Sequence, residues 1–202
     1  MANLKEELQI AKKALLNHGI VAFPTETVMG LGVLYNDFDA YNKLNLVKRR
    51  PEDKPYTLMV KCKEDLNKYG VINESTQRVV DAFMPGSITI IVPVRKEAVP
   101  GYVTHNTDII GMRIPTNKEA IELLKDIDLP LLVPSANRSG EKPANSSVEA
   151  KVIFGSEIDA YISGKAQKLE PSTIVDLTKD EPVVVRVGPI KPEEILKAWK
   201  NA

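Results

Sequence analysis

The sequence predicts an α/β fold, a twisted mixed sheet with helices packed against it, and three observations carry that reading. Short apolar runs such as IVAF at residues 20–23 and SITIIVPV at residues 87–94 have the length and the bounding residues of buried strands. Between such runs lie segments whose apolar residues recur at helical spacing. Strands and helices alternate irregularly, not in strict strand–helix–strand units, so some neighbouring strands pair antiparallel and the sheet is mixed.

In chain order, Leu4, Leu8, Ala11 and Leu15 form one face of an opening helix that Gly19 is expected to end. The strand 20–23 follows. Pro24 turns the chain into Thr25, Glu26 and Thr27, and Gly30 and Gly32 read as a glycine-loosened turn. Asp37 is placed to cap a helix that carries Tyr41, Leu44 and Val47 inward. Pro51 and Pro55 then forbid regular structure across KRRPEDKP. Residues 56–60 read as a strand, and 74–84 as an amphipathic helix ended by Pro85 and Gly86. The strand 87–94 is the best formed, and 109–114 is another. Asn117 opens a helix carrying Ala120, Leu123 and Leu124, and a short buried strand at 131–133 ends at PSANRSG. A helix near 148–154, strands at Tyr161, 173–177 and 183–187, and a helix after Pro192 complete the chain. No internal repeat or low-complexity linker interrupts it, so a single domain over residues 1–202 is expected.

Composition excludes several classes of function. The 27 basic residues balance 27 acidic ones, so no global field draws the chain to nucleic acid or to a membrane. Cys62 is the only cysteine, which removes a disulfide framework and a thiolate-rich metal site. His18 and His105 are too few and too far apart in sequence for a zinc cluster. The opening MANLKEELQ has no apolar signal core, and no stretch is apolar enough to span a bilayer, so a cytoplasmic location is expected.

Three polar clusters follow apolar runs or helices, where ligands of open α/β sheets tend to sit. Thr25, Glu26 and Thr27 suit either a self-satisfied turn or the rim of a ligand site. Between residues 43 and 63 seven Lys or Arg face only Glu52 and Asp53, a local positive patch that a solvated surface turn explains and that a triphosphate also fits. PSAN sets a hydroxyl and an amide two residues apart. Arg113 lies in the otherwise apolar GMRIP, where an unpaired charge is expensive; an ion pair and an anion contact both account for it. Arg186 in VVVRVG poses the same question, while Ser172 and Thr173 open a strand in PSTIVD. A Walker loop and a Rossmann glycine fingerprint are both missing.

In this order, FPTETVMGLG, KRRPEDKP, PGSITIIVP, GMRIP, VPSANRSG, PSTIVDL and VVVRVGPI resemble the YrdC-type family, the threonylcarbamoyl-AMP synthases. The resemblance implies a YrdC-like sheet with an open ligand cleft that takes ATP with magnesium, L-threonine, and bicarbonate or carbon dioxide, without a tightly bound cofactor. The products would be threonylcarbamoyl-AMP, passed to separate transferase machinery that modifies tRNA beside the anticodon, and pyrophosphate. It further implies that Lys48, Arg50, Ser135 and Asn137 are catalytic and that Lys48, Arg50, Lys54, Ser135, Asn137 and Arg186 hold ATP. Thr25, Arg113 and Ser172 would hold threonine, and no side chain is assigned to a metal.

Met29 stands where many members carry an aromatic residue, and Met59 where some carry histidine. A sister subfamily without established synthase activity shares GMRIP and KPYTLMV, but the intact PSAN argues against it. An RNA-binding module is a second alternative, and the basic cluster leaves room for weak RNA binding. Zero net charge and 5% aromatic residues oppose strong binding, which needs many phosphate contacts. A third alternative forms a carbamoyl-adenylate on an acceptor other than threonine.

Overall fold

The computed structural model describes residues 3–50, 55–167 and 170–200. Its strands are β1 Val21–Phe23, β2 Gly30–Leu34, β3 Leu58–Met59, β4 Ile88–Pro93, β5 Ile109–Arg113, β6 Leu131–Leu132, β7 Ala160–Tyr161, β8 Thr173–Asp176 and β9 Val183–Arg186. The helices are α1 Leu4–Leu16, α2 Phe38–Lys48, α3 Lys63–Tyr69, α4 Glu74–Phe83, α5 Gly101–Thr104, α6 Lys118–Ile127, α7 Ser147–Phe154 and α8 Pro192–Lys200. The strands form one mixed sheet in the order β7-β1-β2-β6-β3-β5-β4-β8-β9. Three of its pairings are parallel, β1 with β7, β3 with β5 and β4 with β8; the others are antiparallel.

Strand alternation divides the core between two faces. Val21 and Phe23 point to one side with Leu131 and Met59, and α1 and α6 cover them with Leu8, Leu15, Leu123 and Leu124. Ile20, Ala22, Leu31 and Val33 point to the other, where α2, α4, α7 and α8 supply Leu44, Val80, Phe154 and Trp199. Both faces of the central strands are therefore dry, which is why those strands read as continuous apolar runs, while the edge strand β9 stays largely exposed.

The expected helix caps form: Asp37 accepts from the Ala40 amide at 3.0 Å and Asn117 from the Ala120 amide at 3.1 Å. The end of α1 differs from expectation. It stops at Leu16, and the left-handed residue is His18 at φ 59°, not Gly19. Gly19 is needed for close approach instead, because its amide donates to Ala14 O at 2.8 Å and a Cβ there would lie 2.6 Å from that oxygen.

Gly30 and Gly32 are likewise not a turn. They belong to β2, which pairs antiparallel with β1, Phe23 opposite Gly30 and Val21 opposite Gly32. A Cβ on Gly32 would meet the Phe23 ring at 2.7 Å, and one on Gly30 would meet Val133 Cγ1 at 2.7 Å. The glycines make room for side chains from neighbouring segments, a requirement that local sequence does not display. Helices α3 and α5 were not expected either: both are short, and the N-cap of α3, Cys62, makes no side-chain capping hydrogen bond to it.

Candidate active site

One cleft, a cavity of about 200 Å³, gathers residues from strand ends across the sheet. Thr25 lies two residues beyond β1, Ser135 three beyond β6, and Ser172 immediately before β8, while Arg113 and Arg186 are the last residues of β5 and β9. All five line the cleft, together with Arg50, Thr27, Met29, Met59, Tyr56 and Thr89.

Thr25, Glu26 and Thr27 are buried, so the turn is a wall and not a solvated loop. Thr25 Oγ1 lies 3.0 Å from Thr27 Oγ1 and donates to Val28 O at 2.6 Å. Glu26, 2% exposed, is the partner of Arg113, 8% exposed. Arg113 Nε donates to Glu26 Oε1 at 3.2 Å, Nη2 reaches the same oxygen, and Nη2 also donates to Thr27 Oγ1 at 2.9 Å. The Thr116 amide donates to Glu26 Oε2 at 3.3 Å. The two readings of Arg113 are thus compatible: one edge of its guanidinium is fixed by a buried ion pair while the residue still faces the cleft. Glu26 is committed to that pair, which leaves it poorly placed to act as a base.

Arg186 grips the opposite wall. Its Nε and Nη2 donate to Ser172 O at 3.0 and 2.8 Å, and Nη2 also reaches Ser172 Oγ at 3.1 Å. Ser172 Oγ lies 3.1 Å from Thr89 Oγ1. Burial, and then the Arg113 charge, lower the pKa of Arg186 from its ordinary value. Two guanidiniums on one cavity give it a positive potential, which suits an anion.

The basic cluster separates. Arg49 adopts the left-handed conformation at φ 51° as the C-cap of α2, between Lys48, the last helical residue, and Arg50. Arg50 packs its guanidinium 4.3 Å from the centre of the Tyr56 ring, donates to Pro55 O at 2.9 Å and lines the cleft. Lys48 is 1% exposed, against the expectation that a charge run is solvated, and it is not among the cleft-lining residues. Its ammonium donates to Ser135 O at 2.6 Å and Asn137 O at 2.7 Å. Burial, then the Arg50 and Arg138 charges, pull its pKa down to about 7. Lys54 lies outside the described residues.

Ser135 and Asn137 meet as their spacing suggests: Ser135 Oγ donates to Asn137 Oδ1 at 2.6 Å. The Asn137 amide is used within the loop, donating to Arg138 O at 2.7 Å and Glu141 O at 2.9 Å, and only Ser135 of the two lines the cleft. The Ala136 amide donates to Met29 O at 2.8 Å, which docks this loop against the segment after Thr27. Sequence reasoning offered Thr27 as part of a ligand rim, but it did not find Tyr56 or Thr89 as cleft residues. Thr89 alone had a signal, a hydroxyl within an otherwise aliphatic strand.

Residues 13–188 match the family model Sua5_yciO_yrdC, described as telomere recombination. The chain belongs to this family. It is 33% identical over 193 residues to the threonylcarbamoyl-AMP synthase of Pyrococcus abyssi, covering 95% of this chain and 56% of that one. Little more than half of that relative's length is therefore represented. The structure of P. abyssi Sua5 complexed with L-threonine superposes with a TM-score of 0.91 at 31% identity, covering 98% of this chain and 58% of that one. Escherichia coli YciO superposes with a TM-score of 0.88 at 27% identity, covering 97% and 95%. The YrdC-like mixed sheet is thus the fold expected from the sequence.

Proposed function

We propose that this protein, acting as one domain, is an L-threonylcarbamoyladenylate synthase that joins L-threonine, bicarbonate or carbon dioxide, and ATP. The observation that carries the reading is the convergence of Arg113 and Arg186, from different strands, on one cleft lined by the hydroxyl-bearing residues Thr25, Ser172 and Ser135. The P. abyssi Sua5 complex with L-threonine supports the choice of amino acid.

In this reading Arg113 takes the threonine carboxylate, with Thr25 and Ser172 beside it. Arg50, Arg186 and Ser135 face the nucleotide, and Lys54 joins the phosphates. The threonine amine takes up carbon dioxide and loses a proton to give a carbamate. A carbamate oxygen then attacks the α-phosphorus; the new P–O bond forms as the bond to the β-phosphate oxygen breaks, and pyrophosphate leaves with that electron pair. Such displacement asks mainly for positioning and for stabilisation of charge, which arginines and hydroxyls provide without a protein nucleophile. Among the described residues no group of three or more His, Cys, Asp or Glu could hold a metal ion, so magnesium is taken to arrive with the nucleotide as part of the substrate. Among the same residues no helix is long and apolar enough to cross a membrane, and the cytoplasm, where tRNA is modified, is the proposed place of action. Downstream transferase machinery would consume the product.

The test is pyrophosphate release and AMP-linked product from ATP, with L-threonine and bicarbonate each supplied or withheld. Product that needs both and carries both is expected. Pyrophosphate release indifferent to threonine would assign a different acceptor. Because YciO aligns over nearly its whole length, a second reading is a protein of this fold without synthase activity, and folded enzyme without turnover would favour it.

A further inference from the structure

The basic residues after α2 do not share one task. Lys48 is buried with two acceptors: Nζ donates to Ser135 O at 2.6 Å and to Asn137 O at 2.7 Å. The loop answers at the same helix end. The Ser139 amide donates to Lys48 O at 2.8 Å, and Arg138 Nη1 donates to Val47 O. Four hydrogen bonds thus cross between the last turn of α2 and residues 135–139, two in each direction. The two donated by the loop satisfy helix-terminal carbonyls that would otherwise have no partner within the helix. Arg138 is itself held, paired with Glu157 and packed 4.8 Å from the centre of the Phe154 ring.

We infer that Lys48 is a positioning residue that latches the Ser135–Asn137 loop to α2 through two backbone carbonyls and so sets where the Ser135 hydroxyl meets the nucleotide, while Arg50 carries the phosphate charge. The inference rests on the synthase reading for the word nucleotide, but not for the latch. Three facts favour it over a direct phosphate contact. Lys48 is 1% exposed, whereas Arg50 lines the cleft. Its acceptors are main-chain oxygens, which no side-chain change in the loop would remove. Lys48 and Arg50 flank the left-handed Arg49, and only Arg50 lines the cleft while Lys48 bonds the loop's carbonyls. A lysine in such a place donates to two carbonyls and holds two points of the loop at once.

Lys48→Met keeps the length and bulk of the stem and removes every donor. Amide exchange across residues 134–141 is expected to accelerate about tenfold or more in this variant. The kcat of pyrophosphate release should fall about tenfold or more, with the KM for ATP within about threefold of wild type. The ratio of ATP to AMP binding constants, which isolates the phosphate tail, should stay within about threefold. Arg50→Ala should do the reverse, lowering that ratio about tenfold with loop exchange unchanged. Unchanged loop protection in Lys48→Met overturns the latch, as does a fall in the ATP-to-AMP ratio as deep as that of Arg50→Ala. Should Lys48→Met not fold, Lys48→Gln, whose shorter side chain ends in a neutral amide, is read in the same way. The wild type gives an independent check: the Nζ–H signal of Lys48 in 15N-lysine-labelled protein stays in place when pyrophosphate is added, and a signal that moves with pyrophosphate overturns the inference. Wild-type protein without threonine-dependent turnover would sink the synthase reading alone, since loop exchange needs no substrate.

Discussion

Arg113 and Glu26 show how strongly a single residue's role depends on its partner. Both are nearly inaccessible and each is the other's counter-charge. Arg113→Ala is therefore expected to strand a buried carboxylate and to destabilise the fold by about 3–5 kcal/mol, read by urea unfolding. A loss below about 1 kcal/mol would mean that Glu26 finds water or another cation. The threonine contact is better tested with Arg113→Lys, which keeps the charge and loses the planar fork. Its KM for threonine should rise about tenfold more than its KM for ATP; equal rises would argue against a carboxylate contact. Lys48 makes a pH prediction. Its folded pKa is lowered to about 7 from an ordinary value of 10.5, so between those limits the unfolded chain binds the extra proton. Stability from this group is then present above the upper limit and is lost as pH falls toward 7. The difference in unfolding free energy between wild type and Lys48→Met should accordingly move in favour of wild type from pH 7 to pH 10. A difference flat in pH would show that the amine keeps an ordinary pKa.

At the scale of elements, the hairpin of β1 and β2 supports the cleft by letting Phe23 lie across two glycines. Gly32→Ala would place a methyl group 2.7 Å from the Phe23 ring, in a core with no room to yield. Overpacking of this kind costs about 1–3 kcal/mol. Thermal unfolding should show the loss, and Phe23→Leu added to Gly32→Ala should recover part of it; no recovery would mean that the clash lies elsewhere. The Thr25–Thr27 wall is tied down on either side, by the Arg113 fork at Thr27 and by the Ala136 amide at Met29.

At the scale of the whole molecule, the cleft exists because the sheet order places β5, β8 and β9 on one side of β3 and β6 and β1 on the other. A ligand that touches both halves should stabilise both together. L-threonine at about a hundred times its Kd should add about 2.7 kcal/mol and raise the Tm by about 5–11 °C. L-valine, which replaces the hydroxyl with a methyl group, should raise it less. Equal shifts with the two amino acids would show that Thr25 and Ser172 do not read the hydroxyl.

Much of this molecule was decided locally. Apolar runs, helical spacing and the caps at Asp37 and Asn117 determined the elements, because a strand or a helix depends on residues within a few positions of each other. The polar residues at strand ends marked the cleft for the same reason: Arg113, Ser172 and Arg186 stand where an apolar run has no use for them. Tertiary structure alone decided the partners. That Gly30 and Gly32 belong to a strand follows from rings and branched side chains arriving from elsewhere. That Glu26 pairs with Arg113 depends on a contact 87 residues apart in sequence. That Lys48 bonds the loop depends on carbonyls 87 and 89 residues away. A charge run looks solvated in sequence, and only the packed chain shows which of its members has exchanged water for main-chain oxygen.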